Sequence, residues 1–256
     1  MSEKFEFLRI RNLADIPTLP ADLSYFPVPY LLYWANEALE LDGEVEVAKT
    51  SNGEIHGLFV YDNYEKDGTI FTQSKQVFDY YYGLKSCSSL WSEVETANPC
   101  YHYDILSRVL DNVTFDHKFK HKVVIEKDIH EIERFMSFIS HNEVNPKWVS
   151  VASGNGDRCF AVRVENDIVG VAWLSLVDGV GRVPDLYVKP QYRRTGIARD
   201  LFYARLIYLQ SMRAKSYFAE IAHDNEAALG HATKVGMKVS GKIFEYQTET
   251  GVPAKE

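Results

Sequence analysis

The chain has 256 residues, enough for one large domain or two small ones, and its 46% hydrophobic and 25% charged residues exclude a largely disordered protein. The net charge of −8 is uneven. Residues 1–121 carry 10 Lys and Arg against 19 Asp and Glu (−9), which leaves 18 against 17 (+1) for residues 122–256. An acidic half is typical of a solvated surface, or of one that attracts a cationic substrate such as an amine.

The N-terminal part reads as an α/β segment bounded by turn residues. Ser51-Asn52-Gly53 is a tight-turn signal between two β-rich runs and predicts a hairpin. In chain order, the pattern predicts a helix over 30–39, strands over 44–49, 55–61 and 69–72, and helices over 73–84 and 103–110.

The C-terminal part has sharper signals. Asp128 followed by Glu131 is the reciprocal capping pattern of a helix start, and Gly236 is a helix stop. The pattern predicts strands over 122–126, 160–164, 168–176, 182–188, 216–222 and 237–246, with helices over 128–140, 196–212 and 225–235. Antiparallel strands flanked by helix-linked strands predict an α/β fold with a mixed, mostly antiparallel sheet.

The two parts of the chain are faintly similar. Residues 46–74 and 160–187 both predict strand, turn, strand, loop and strand, although two hairpins can be similar by chance. We divide the chain into domains over 1–121 and 122–256. The first domain is either a degenerate second copy of the fold, which we favour, or an unrelated cap that mediates dimers.

An anion site is predicted where the strand over 182–188 gives way to the helix at Gly196. The first N–H groups of a helix have no intrahelical partner and lie at the positive end of its dipole. Gly196 and Ala198 let a diphosphate approach the backbone, and Arg193 and Arg194 offer charge-assisted hydrogen bonds. From spacing alone, an ordinary helix start with two solvated arginines explains the pattern equally well.

This loop resembles the signature of the GNAT superfamily of acyl-CoA-dependent N-acyltransferases, Leu-x-Val-x-Pro followed by Arg/Gln-x-x-Gly-x-Gly/Ala. Here it reads Leu186-Tyr187-Val188-Lys189-Pro190-Gln191-Tyr192-Arg193-Arg194-Thr195-Gly196-Ile197-Ala198. A second element, Asn225 and Ala228 before Gly236-Met237, is similar to the family's Asn-x-x-Ala helix that ends in Gly and an apolar residue. The two elements and the strand order agree from about Lys122 to Gln247.

The resemblance implies acetyl-CoA as co-substrate, without a metal. In the family, the strand that here contains Leu186 and Val188 splays from its neighbour and pairs with the pantetheine arm. Asn225 would contact that arm or order the site, and Ala228 would let the cofactor pass close to its helix. The residues expected at the cofactor are Leu186, Tyr187, Val188, Arg193, Arg194, Thr195, Gly196, Ile197, Ala198, Arg199, Asn225 and Ala228.

The implied reaction is direct attack of an amine, on a small molecule or a protein, on the acetyl thioester. Orientation of the nitrogen can supply much of the rate, and a backbone N–H such as that of Val188 would stabilise the oxyanion. A base should take a proton from the ammonium group. Asp185 and Glu220 are the candidate bases, although each is more simply interpreted as a polar residue that points away from the sheet.

One position departs from the family pattern. A Tyr often lies seven residues after the Asn and serves as the acid, but Ala232 stands there in this chain. The neighbouring His231 points about 100° away around the helix. Two other functions therefore stay open: a non-catalytic acyl-CoA-binding sensor or regulatory module, and an amide-forming acyl or aminoacyl transferase that uses another donor.

The remaining signals bear on location and partners. Three cysteines without CxxC spacing predict neither a disulfide framework nor a zinc site. Without a signal-peptide pattern or a long apolar run, we expect a cytoplasmic protein with no membrane partner. No basic stripe is visible, so no nucleic-acid partner is expected, and a homodimer is left open.

Overall fold

The computed structural model describes residues 4–84, 87–96, 99–111, 113–140 and 147–247. Contacts divide the chain into two compact units. The first comprises residues 1–106, 221–235 and 239–256, and the second comprises residues 107–220 and 236–238. The division at 121/122 was made on sequence pattern and stays a prediction.

The described residues form strands and helices in both units. The strands are β1 (Phe5–Ile10), β2 (Glu44–Thr50), β3 (Ile55–Asp62), β4 (Asp67–Phe71), β5 (Ser89–Ser92), β6 (Tyr101–Val109), β7 (Val123–Glu126), β8 (Arg158–Val164), β9 (Asp167–Val177), β10 (Val180–Arg182), β11 (Leu186–Val188), β12 (Ser216–Ala222) and β13 (Lys238–Gln247). The helices are α1 (Val28–Glu40), α2 (Lys75–Leu84), α3 (Ile129–Ser140), α4 (Trp148–Gly154), α5 (Ile197–Ser211) and α6 (Glu226–Lys234).

The sheet of the first unit has the order β1-β2-β3-β4-β5-β13-β6. Strands β1 to β4 are antiparallel neighbours, whereas β4 and β5 are parallel, with α2 as the crossover that parallel strands require. The last strand of the chain, β13, pairs antiparallel with β5. Helix α2 contributes Val77, Phe78 and Tyr81 to a core that also contains Phe244 and Tyr246 of β13.

The sheet of the second unit has the order β12-β10-β9-β8-β7, with β11 beside β9. Strands β7, β8 and β9 are antiparallel, and β10 and β12 are parallel neighbours joined through α5. One core cluster joins α3 and α4 to β8 and β9. Helix α5 packs closely on β9 at Gly170, where an added Cβ would lie 2.9 Å from the Ile197 side chain.

Most predicted elements are present, with ends within two residues of those predicted. The start of α3 is confirmed, since Asp128 Oδ1 accepts from the backbone N–H of His130 (3.1 Å) and Glu131 (3.2 Å). The helix predicted over 103–110 is wrong, because Tyr101–Val109 is strand β6. Its aromatic and β-branched residues suit a sheet, and tertiary pairing overrides weak helical periodicity.

Three elements, β1, β5 and α4, have no counterpart among the predictions. The strand predicted over 182–188 is two strands, β10 and β11, separated by residues 183–185. In the described part of the chain, no helix has both the length and the apolar character needed to cross a bilayer.

Candidate functional site

The interruption between β10 and β11 is a β-bulge. Arg182, the last residue of β10, lies opposite Ser175 of β9, and Leu186, the first residue of β11, lies opposite Ala172. Three residues, 183–185, therefore face only two of β9. A bulge of this kind bends its strand and changes where the following residues point.

The bulge also parts β11 from the strand on its other side. Strand β12 pairs with β10 up to Arg182 opposite Phe218. One further backbone bond joins Val183 N to Phe218 O (3.0 Å). Beyond it, the described pairing of β11 is with β9. The two strands thus diverge at the point where the resemblance predicts a splay.

The bulge reverses the direction of the backbone groups that follow it. Val183 bonds to β12, but two residues later the C=O of Asp185 accepts from Trp173 N of β9 (3.1 Å). In a regular strand, residues two apart direct their N–H and C=O groups to the same neighbour. Successive residues of a strand face opposite neighbours, and Asp185 faces β9. The N–H of Val188, three residues later, is therefore directed away from β9, towards the side of the splay.

The turn into α5 requires an unusual backbone. Arg194 (φ 62°) and Gly196 (φ 103°) both lie in the left-handed region, and Gly196 immediately precedes α5. An added Cβ at Gly196 would lie at ordinary contact distances, 3.6 Å from Lys120 Cδ and 3.9 Å from His121 Cε1. The backbone angle and not crowding therefore calls for glycine here. The first-turn N–H groups of α5 lie just beyond it.

The two loop arginines have different surroundings. Arg193 Nε donates to Val188 O (3.1 Å), and its guanidinium lies 5.5 Å from the centre of the Tyr187 ring, so it is held against β11. Arg194 is exposed. Thr195 Oγ1 donates to Tyr192 O (2.7 Å), which holds the turn together. Arg193 is exposed as well, and the role of both arginines stays a prediction.

Sequence reasoning missed a buried carboxylate in the first turn of α5. Asp200 is 1% exposed, with Oδ1 2.6 Å from His117 Nε2 and Oδ2 2.8 Å from His121 Nδ1. Oδ2 also accepts from the backbone N–H of Lys120 (3.1 Å) and His121 (2.9 Å). Burial alone would raise the pKa of Asp200, but these hydrogen bonds outweigh it and hold the pKa below its usual value. An acidic residue in a first helical turn was the available signal.

The two candidate bases also differ. Asp185 is exposed at the bulge, in the left-handed region (φ 33°). Glu220 accepts from Arg182 Nε with both oxygens, at 2.9 and 3.2 Å. Because Arg182 engages Glu220 whereas Asp185 is exposed, Asp185 is the more accessible of the two candidate bases. Neither role is tested by the geometry alone.

Asn225 and Ala228 of the second sequence element lie in the first unit. Asn225 Oδ1 accepts from the backbone N–H of Ala228 (3.1 Å) and so caps the start of α6. Ala232 is 2% exposed. Contact of Asn225 and Ala228 with a cofactor stays a prediction. Among the described residues, no group of three or more His, Cys, Asp and Glu side chains could hold a metal ion.

The sequence over residues 126–237 matches the acetyltransferase (GNAT) family. This segment is a GNAT domain. It contains the bulge, β11, the left-handed turn at Gly196, α5 and Asn225. Acyl transfer is the activity that family membership supports, and acetyl-CoA is the donor that the family generally uses. No curated protein matches the chain significantly.

Solved GNAT structures match nearly the whole chain. A tandem GNAT protein from the clavulanic acid biosynthesis pathway has 11% identity and a TM-score of 0.62, over 98% of this chain and 100% of its own. A GCN5-related N-acetyltransferase from Sphaerobacter thermophilus has 11% identity and a TM-score of 0.61, over 96% and 97%. An acetyltransferase from the GNAT family of Colwellia psychrerythraea has 11% identity and a TM-score of 0.55, over 95% and 100%.

These structures bear on the fold alone, because their identities to the chain are low. They confirm the predicted class, a mixed α/β fold with a large sheet flanked by helices. Since a tandem protein matches over 98% of the chain, the match extends well outside the GNAT domain at 126–237. This agrees with the prediction of a second, degenerate GNAT-like copy among the N-terminal residues.

Proposed function

We propose that the chain transfers an acetyl group from acetyl-CoA to a primary amine, on a small molecule or a protein. The observation that carries the proposal is the bulge at residues 183–185. It parts β11 from β12 immediately before the left-handed turn that opens α5. One segment thus presents, in series, a strand edge that no other strand of the described residues covers and a helix start. This arrangement suits an extended arm that ends in a diphosphate.

The residues present fit this ligand in shape and charge. Gly196 has no side chain between solvent and the first-turn N–H groups of α5, a favourable place for a diphosphate. Arg194 and Arg199 are exposed beside it. The backbone N–H and C=O of Leu186 lie on the side away from β9, where the amides of a pantetheine arm could pair.

Acetyl-CoA supplies an activated thioester. The N–H of Val188 would donate to its carbonyl oxygen and stabilise the negative charge that develops there. The Asp185 carboxylate, directly or through water, would take a proton from the ammonium group, and the free amine would form the new C–N bond as the C–S bond breaks. With Ala232 at the expected acid position, the leaving thiolate would take its proton from solvent.

The proposal is tested by measuring free thiol released from acetyl-CoA with a panel of amines, alongside acetyl-CoA binding by calorimetry. We expect amine-dependent thiol release by the wild type. Arg194→Ala should raise the Kd for acetyl-CoA about tenfold, the effect of losing one charge-assisted hydrogen bond. Arg213→Ala, an exposed arginine just beyond the other end of α5, is the matched control and should leave the Kd unchanged.

A second function, a non-catalytic acyl-CoA-binding module, is favoured by the buried Ala232 at the expected acid position. The same experiment separates the two functions. Binding of acetyl-CoA without thiol release for any amine would support the sensor, whereas absence of binding would remove both.

A further inference from the structure

Arg205 is a cation enclosed in the core of the second unit. It lies in the third turn of α5 and is 2% exposed, among the largest fully buried side chains. Removal from water lowers the pKa of Arg205 to about 9, against the opposing effect of the negative charge on Asp185. Burial of a guanidinium is unfavourable in free energy unless its hydrogen bonds are made. The hydrogen-bond partners of Arg205 therefore indicate which part of the structure it stabilises.

In the described part of the chain, both hydrogen bonds of Arg205 go to the bulge. Its Nη1 donates to Pro184 O at 2.6 Å and to Trp173 O at 2.9 Å. Pro184 is the middle one of the three bulged residues, and Trp173 is one of the two residues of β9 that face them. The guanidinium therefore bridges the two strands at the place where their ladder is broken.

These two carbonyls need a donor from outside the ladder. A bulge disrupts the regular hydrogen bonds between strands, and proline has no N–H to contribute. A carbonyl removed from water without a donor is destabilising, so the two bonds from Arg205 stabilise the bulged register. By contrast, Arg205 Nε is buried without a hydrogen-bond partner in the described part of the chain. The Arg205 side chain thus makes its hydrogen bonds to the bulge, although one of its own donors, Nε, makes none there.

The bulge decides where the N–H of Val188 points. With Val183 bonded to β12, an unbroken strand would turn the groups of Val188 towards β9, where the ladder would use them. The extra residue shifts this alternation by one and leaves the N–H of Val188 on the splayed side. It also places Asp185 in its left-handed conformation (φ 33°) at the exposed edge.

We propose that Arg205 is a positioning residue of the acyl-transfer site: by holding the bulge at residues 183–185, it keeps the N–H of Val188 directed into the splay as the oxyanion donor. The inference rests on the proposed function for its kinetic consequence. Its structural part, the direction of the Val188 N–H, does not depend on activity.

The kinetic test uses Arg205→Met, which keeps an unbranched apolar stem but removes the donors, and Arg205→Lys, which keeps a cation. Since loss of one oxyanion donor costs about 10²–10³ in kcat, we expect Arg205→Met to lose roughly that factor. The KM for acetyl-CoA should rise as well, because loss of the bulge would turn the backbone groups of Leu186 away from the pantetheine arm. Arg205→Lys should recover part of kcat, and Arg213→Met should behave as the wild type.

A second readout follows the amide of Val188 by hydrogen exchange in the wild type and Arg205→Lys. We expect fast exchange in the wild type and slower exchange in Arg205→Lys, where the ladder with β9 begins to capture the N–H. If Arg205→Met does not fold, the comparison of the wild type with Arg205→Lys tests the proposal. A folded variant with unchanged kcat, or a Val188 amide that is equally protected in both proteins, would overturn the proposal. A wild type that releases no thiol but shows the exchange difference would refute only the proposed function.

Discussion

Asp200 Oδ1 lies 2.6 Å from His117 Nε2, and the two residues are 83 positions apart in the chain. The contact ties the segment that precedes the GNAT domain to the first turn of α5, directly after the Gly196 turn. The imidazole of His117 also stacks on Tyr203, with ring centres 4.3 Å apart. One buried carboxylate thus fixes the start of the helix that is proposed to receive the diphosphate.

We expect Asp200→Asn to lower the free energy of unfolding by about 2 kcal/mol, because an amide replaces the charged acceptor of four hydrogen bonds. The pKa of Asp200 is lowered in the folded state, so its contribution is fully present above its ordinary pKa of 3.8 and is lost as pH falls through the folded value. Urea unfolding from pH 6 downwards should show a steeper acid loss in the wild type. Equal acid slopes in the two proteins would contradict this.

Glu93, in the first unit, should show the opposite dependence. It is 5% exposed, and burial raises its pKa to about 7 in spite of hydrogen bonds from Ser24 Oγ (2.6 Å) and Tyr25 N (2.8 Å). A raised carboxyl pKa means that the folded state holds the proton more tightly. Its contribution is therefore present below the ordinary value of 4.5 and is lost as pH rises through about 7.

Glu93→Gln should flatten the decline in unfolding free energy between pH 5 and 8, measured by urea titration at each pH. Glu95→Gln changes an exposed carboxyl two residues away and should leave the decline as in the wild type. A decline of the same size in Glu93→Gln would show that another group titrates.

Gly196→Ala tests the left-handed turn. An alanine at φ 103° is strained, so we expect a loss of about 1–2 kcal/mol in unfolding free energy and a higher Kd for acetyl-CoA. Gly230→Ala is the matched control, because Gly230 lies in α6 and an added Cβ there meets nothing within 4 Å. That change should stabilise by about 0.5–1 kcal/mol. Thermal unfolding and calorimetry measure both effects, and equal effects at the two glycines would contradict the assignment.

The two candidate bases are separated by Asp185→Asn and Glu220→Gln. If Asp185 takes the ammonium proton, its variant should lose about 10²-fold or more in kcat. Glu220→Gln breaks the ion pair with Arg182 and should mainly affect stability. The reverse pattern, with kcat lost only in Glu220→Gln, would assign the base to Glu220.

Much of the second unit could be predicted from the sequence because its signals are local. The Asp128 cap bonds to N–H groups two and three residues away, and Gly196 is required by the angle of its own backbone. The family signature is also local, because its residues follow one another along a single segment, 186–198. Local signals of this kind can be recognised in a sequence even when the residues that pack against them are unknown.

What the sequence could not determine depends on distant partners. Pro184 marks the strand at 182–188 as irregular. The bulge itself, three residues facing two, is a property of the register of this strand with β9. Residues 101–109 became a strand against a helical pattern, and β13 paired with β5 of the first unit. The sequence by itself determined the glycine turn that is proposed to bind an anion. Only the tertiary structure decided the direction of the Val188 N–H, since that depends on hydrogen bonds between strands and on the guanidinium of Arg205.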